Sequence, residues 1–408
     1  MNRTMINKTK KMKKYFSFAL MALMMLGSAV MFTSCGDDDD KVKTYQLNVN
    51  LSLNDGLTLD NISNLKMVIT NSLEQEQTIE LADIATTMTV VGGQYNFVVT
   101  GKVKDEAAAY ATGTGSASVY TDSNVTIQVS KSLQGTLVWK TIYTTGAKAG
   151  YLKDSYFEIA NNSDEVQYLD QVMLFYATSG QTAESSWQAA GFLDRYPMAQ
   201  GSLVCFPGNG TDYPLQPGES VLIANDAANH KELSGSDACP DLSNADWEIY
   251  LSKATRNEVD YQTKDMVDVY YSSFTIASFA QGLFNGGYVI AKCPEGMTPQ
   301  QFVEDTNNFS TTPGTTSTNL ILLMPSKYII DAVMMWDCRK TSFYGNFLPK
   351  DDASGILSSP SNSGKCIRRK VSKIENGRVY YQDTNNSAND FLNNQPLTPG
   401  VTPTSVDQ

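Results

Sequence analysis

The 408-residue chain has a single histidine, His230, and six cysteines with no Cys-x-x-Cys pair among them. A zinc site draws on clustered thiolates and imidazoles, so both scarcities argue against one. Ser-His-Asp catalysis would rest on His230 alone, and a lone histidine in the loop Asn225–His230 reads as a surface residue. Neither a Gly-x-Ser-x-Gly elbow nor a phosphate-cradling P-loop occurs. Positive charge is also short, with 31 Lys and Arg against 43 Asp and Glu. Six of those cations lie in residues 1–34, which hold no acid, so the remainder carries 25 cations against 43 acids, net −18. No basic stretch interleaved with aromatics survives there, which excludes nucleic acid as the expected partner. A hydrophobic content of 41% is enough for packed cores, and the length suggests two or three domains.

What is present begins at the N-terminus. Arg3, Lys8, Lys10, Lys11, Lys13 and Lys14 precede an apolar run, Tyr15–Phe32, that stops just before Thr33-Ser34-Cys35. Gly36 and four acids, Asp37, Asp38, Asp39 and Asp40, follow. This order resembles a bacterial lipoprotein signal, with residues 1–34 removed and Cys35 lipidated. Initiation at Met12 would leave a conventional signal, and an uncleaved single-pass anchor is the alternative. The acids of the 35–43 tether resemble the export tags of surface lipoproteins in the Bacteroides group. That resemblance implies a protein lipid-anchored in the outer membrane and displayed on the surface. A solvated tether is the plainer reading.

The remaining cysteines, Cys205, Cys239, Cys293, Cys338 and Cys366, are odd in number and widely spaced. Buried thiols or one bridge fit that pattern, and the pairing is open.

From Tyr45 onward hydrophobic residues alternate with polar ones, as in half-buried strands, with turn signals every ten residues or so. The pair Gly92-Gly93 between two such runs signals a hairpin. Residues 44–132 are therefore expected to form a small antiparallel β-sandwich. Gly93-Gln94-Tyr95-Asn96-Phe97-Val98-Val99 resembles the G-x-Y-x-V-x-V strand of prealbumin-like and carboxypeptidase-regulatory-like domains, modules that usually act as spacers.

Residues 134–403 carry more specific signals. Phe157-Glu158-Ile159-Ala160-Asn161-Asn162-Ser163-Asp164 predicts a strand closed by an Asx turn, and Leu215-Gln216-Pro217-Gly218 presets a turn into the strand reaching Ile223. These pieces resemble the lamin-tail domain, an immunoglobulin-like β-sandwich. Asp170-Gln171 stands where that family commonly has a small residue and glycine, and Lys140-Thr141 replaces its Asn-Glu pair. Further strands are expected at 267–271, 287–291 and 328–333, and the stretches 225–260 and 294–320 read as loops or insertions. The expected class is all-β: a small sandwich followed by an elaborated lamin-tail-like sandwich. As a whole the chain resembles an uncharacterised family of Bacteroides-type lipoproteins.

Candidates for chemistry are few. Asp331 and Asp337 could serve a hydrolase as its carboxylate pair. Asn225-Asp226 and Asp383-Thr384-Asn385-Asn386 offer oxygen ligands for calcium, although Asx turns account for both. Trp187 and Trp247, in long polar stretches, are the candidate ligand contacts. No metal and no cofactor is expected. The functional expectation is a non-catalytic binding or accessory protein, held to the membrane by its lipid, with an outer-membrane protein, transporter or glycan as partner. A structural role in the envelope and, less so, a surface hydrolase are the alternatives.

Overall fold

The computed structural model describes residues 43–407 apart from 73–74, 107–108, 179–182, 200, 252–258 and 272–284. Cys35 and Asp37–Asp40 lie outside the described residues. The fold is all-β, and among the described residues no helix is long and apolar enough to cross a membrane. Two compact units divide it: Met1–Lys104 with Gly113–Val129, and Asp105–Thr112 with Ser130–Gln408.

The N-terminal part of the chain forms a seven-stranded sheet of β1 (Thr44–Leu53), β2 (Ile62–Asn71), β3 (Glu76–Glu80), β4 (Ala85–Val91), β5 (Gly93–Val103), β6 (Ala109–Val119) and β7 (Ser123–Leu133). Its order is β3-β2-β5-β6-β7-β1-β4. Alternation does what the pattern predicts: Leu47, Val49 and Leu51 of β1 point inward with Met67, Ile69, Phe97 and Val99. The Gly92-Gly93 hairpin does not form. β4 pairs with β1 while β5 pairs with β2 and β6, so the glycines join strands that are not neighbours. Neither glycine has the positive φ that a two-residue hairpin turn requires. Gly92 instead lies flat against Tyr45, whose Cε2 would stand 3.1 Å from an added Cβ.

The second unit stacks layers. One sheet runs Lys264–Asp265, Trp247–Glu248, Ser220–Ala224, Tyr156–Asn161, Leu137–Tyr143, Lys365–Arg369, Phe391–Pro396. A second runs Val267–Tyr271, Ser202–Cys205, Met173–Ala177, Gly286–Ala291, Ile329–Trp336, Ile356–Leu357. Trp139, Phe157 and Ile223 from the first pack against Leu174, Tyr176, Tyr288 and Val333 from the second. The opposite face of the second sheet, with Met173, Phe175, Cys205, Val289 and Met334, is buried as well. Tyr196, Leu322 and Met324 cover it from a third small sheet, and Phe302 from the helix Pro299–Glu304. Burial on both faces is why Val172–Tyr176 reads as an unbroken apolar run. Part of the stretch 294–320, read as a loop, thus supplies the helix and the strand Phe309–Thr311 of this cover.

Both predicted turns form. Gly218 has φ +84°, and Glu219 N donates to Gln216 O at 3.0 Å. Asn161 Oδ1 accepts from Ser163 N at 3.0 Å, while its Nδ2 donates to Glu165 O and Leu215 O.

Candidate functional site

The sequence-flagged acids are committed to the fold. Asp331 accepts from Trp139 N at 2.7 Å and from Arg369 Nη2 at 2.5 Å. Arg369 also donates to Asp383 Oδ1 at 3.3 Å, comes within 3.8 Å of Asp390, and stacks over Phe391. All four charged groups are buried. Burial pushes the Asp331 and Asp390 carboxyls up, and Arg369 draws them back down. Asp337 is held by Arg339 through Nε at 2.8 Å and Nη2 at 2.7 Å, which lowers its pKa. The turn Asp383–Asn386 is occupied too: Asp383 Oδ2 accepts from Gly135 N at 2.7 Å and Oδ1 from Asn385 N.

Both candidate tryptophans are core residues, 6% and 2% exposed. Trp187, in the helix Ser186–Ala189, packs edge-on against Phe192. Trp247 meets Phe206 and Tyr213 edge-on, and Lys264 Nζ lies 5.2 Å from its ring. Sequence spacing marked them as loop aromatics; Trp247 instead closes its loop onto the sandwich core, and Trp187 is buried within its own loop against Phe192.

A second collection of titratable side chains surrounds His230. The helix His230–Ser234 is capped by Asn229 and ends at Gly235 with φ +65°. His230 is fully buried, with Nε2 2.9 Å from Asp226 O and Nδ1 2.6 Å from Tyr151 Oη. A carbonyl only accepts, so Nε2 carries the proton and, in the neutral ring, Nδ1 accepts the Tyr151 hydroxyl. Lys153 Nζ reaches Asp226 Oδ2 at 3.2 Å, and Tyr143 Oη donates to Asp154 Oδ2 at 2.8 Å. Burial pushes Asp154 and Asp226 up; the Tyr143 hydrogen bond and the Lys153 charge, respectively, pull against it. The histidine read as a surface residue is thus a buried tie between three loop segments.

Next to it, Glu248, Asp260 and Asp265 place carboxylate oxygens within 4.8 Å of one another. Glu248 Oε1 accepts from Ala227 N and Oε2 from Tyr261 N. Burial pushes Glu248 up to about 7, against those two donors and with help from the Asp226 and Asp265 charges. Hard oxygen donors suit calcium, but three carboxylates fall well short of the six to eight oxygens it takes. Sequence spacing missed this trio because Glu248 and Asp265 meet only when their two short strands pair in parallel.

Comparison with known proteins bears on this part of the chain directly. Residues 216–398 match the family described as "Protein of unknown function (DUF4876)". The DUF4876 match encloses His230, the Glu248 trio and Arg369 with its three carboxylates, but not Trp139, Tyr151, Asp154 or Trp187. The chain is also similar to a DUF4876 family protein from Bacteroides thetaiotaomicron known from a crystal structure. The two share 27% identity and a TM-score of 0.57, over 87% of this chain and 96% of that one. No curated protein matches the chain.

Proposed function

We propose that this chain is a surface lipoprotein of the outer membrane, anchored through Cys35 and acting by binding rather than by catalysis. In this reading residues 44–132 are a prealbumin-like spacer, and the lamin-tail-like unit presents loops to a protein, transporter or glycan partner. The observation that carries the non-catalytic part is the Arg369–Asp331 pair. The carboxylate that a hydrolase would need free is 2% exposed and hydrogen-bonded to a guanidinium and a backbone N–H. Support for binding comes from Asp260 and Asp265, exposed carboxylates held beside the buried Glu248 at the edge of the first sheet, where a partner can reach them.

Anchoring is tested by feeding cells a labelled fatty acid and separating their proteins by detergent phase partition. The wild type should carry label and enter the detergent phase; Cys35→Ser should do neither. A mature protein that retains residues 1–34 would contradict the reading and establish an uncleaved anchor.

A further inference from the structure

Two sulfur atoms, Met173 Sδ and Cys293 Sγ, meet on the outer face of the second sheet, and a third sulfur residue, Cys205, stands on the strand beside Met173. Met173 stands opposite Cys205 in the antiparallel pairing of Met173–Ala177 with Ser202–Cys205, so the two side chains share one face. On its other side Met173 stands opposite Ala291, two residues before Cys293. The Cys293 thiol folds back to within 3.9 Å of Met173 Sδ. Cys205 and Met173 belong to the buried cluster beneath the third layer, and Cys293 and Met297 pack against it.

The cluster has a way in. A surface cavity of about 460 Å³ is lined by Gln171, Lys292, Cys293, Glu295 and Met297 among others. Cys293 is half-buried and forms part of that wall, whereas Cys205 is 5% exposed and lines none of it. Solvent therefore reaches Cys293, whose thiol touches Met173.

We propose that Cys205, Met173 and Cys293 form a binding site for a soft monovalent metal ion, Cu(I), entered through the cavity beside Cys293. Thiolate and thioether donors select Cu(I) over the harder divalent ions. The Cys293–Met173 spacing fits: two sulfurs bound at about 2.3 Å to one ion with trigonal angles lie about 4 Å apart, and Cys293 Sγ is 3.9 Å from Met173 Sδ; Cys205, cross-strand from Met173, would turn its thiol to the same ion. Burial keeps both thiols protonated, Cys205 pushed up to about 12 with Cys293 adding to the effect, and Cys293 to about 11. Binding consequently exchanges two protons for one Cu(I) without change of oxidation state. The site then carries one negative charge beside Lys292.

The test is anaerobic titration of the full chain with Cu(I) held by a colorimetric copper(I) chelator. The wild type should withdraw one copper per chain and melt at a higher temperature when loaded. Cys293→Ser, a change at a half-buried position, should lose that copper and the shift in melting temperature while keeping the apo melting temperature. Met173→Leu, which preserves core volume, should weaken binding without abolishing the fold. X-ray absorption of the loaded protein should show an all-sulfur shell. Equal uptake by Cys293→Ser would place the copper at other thiols and overturn the proposal. So would failure of the wild type to compete, or a Cys205–Cys293 disulfide in protein isolated from the envelope.

Discussion

Lys140 Nζ lies 2.8 Å from Glu158 Oε1, with both side chains 2% exposed. They sit on neighbouring strands, and Lys140 also donates to Ser220 Oγ and Val401 O, while Glu158 accepts from Gly400 N. The pair ties the C-terminal segment to the first sheet of the sandwich. It also explains the lysine where the lamin-tail resemblance led one to expect an Asn-Glu pair: its charge answers Glu158.

Removing one member of a buried ion pair leaves the other charge stranded, at a cost of about 3–5 kcal/mol. Arg369 answers three carboxylates at once, so Arg369→Met should destabilise by at least the upper part of that range. Chemical denaturation measures it. A loss below about 1 kcal/mol, the level of a surface pair, would show that the Arg369 network is not a structural node.

Trp247→Ala should cost about 3–5 kcal/mol of stability, as expected for deleting a buried aromatic. Substitution of a ligand-contacting surface tryptophan would leave the unfolding midpoint nearly unchanged, so the same denaturation curve separates the two roles.

Asp352 and Asp170 should give stability effects of opposite sign with pH. Burial pushes Asp352 up to about 8, against the donors Ser387 and Met334. Its unfolded value is about 4, so between those values the folded chain holds a proton that the unfolded chain has released. Stability from this group therefore falls as pH rises through that window. The stability gap between wild type and Asp352→Asn should shrink from pH 5 to pH 8.5. A gap that widens would refute protonation of Asp352.

At Asp170 burial works upward, but the backbone N–H groups of Asp212, Tyr213 and Gly210 outweigh it and hold the carboxyl below the usual range. This stabilisation is present above the unfolded value and is lost as pH falls through the lower folded one. Asp170→Ala should cost about 1–3 kcal/mol at pH 7, the price of leaving part-buried donors unpaired. The difference should close at strongly acid pH.

Gln171 occupies the left-handed region at φ +59°, where the resemblance predicts glycine. Gln171→Gly should relieve backbone strain and change stability by about +1 kcal/mol, less whatever its hydrogen bond to Gly208 O contributes. A clear destabilisation in thermal unfolding would mean that this hydrogen bond outweighs the strain.

Local chemistry made the two turns legible. Asn161 and Pro217-Gly218 act through bonds and dihedrals within a few residues of themselves, and period-two alternation exposed the strands for the same reason. The Gly92-Gly93 hairpin failed because pairing partners are a matter of topology: β4 finds β1 some forty residues back. The Arg369 network was illegible for a similar reason, since Trp139 and Arg369 of the first sheet meet Asp331 of the second, together with Asp383 and Asp390 from the segment that follows, only once the two sheets are stacked. Trp187 and Trp247 looked like loop aromatics because sequence shows that a segment is polar around them, not which side chain it turns inward. The sulfur cluster joins Met173 to cysteines on two flanking segments, a contact that no spacing rule encodes.

The most direct test of the binding account is affinity purification of the lipidated protein from native envelope, followed by mass spectrometry, alongside an Asp260→Asn, Asp265→Asn variant. The account predicts a partner recovered in stoichiometric amount with the wild type and depleted with the variant. Recovery of lipid alone, together with turnover of a glycan or peptide substrate by the purified protein, would contradict it.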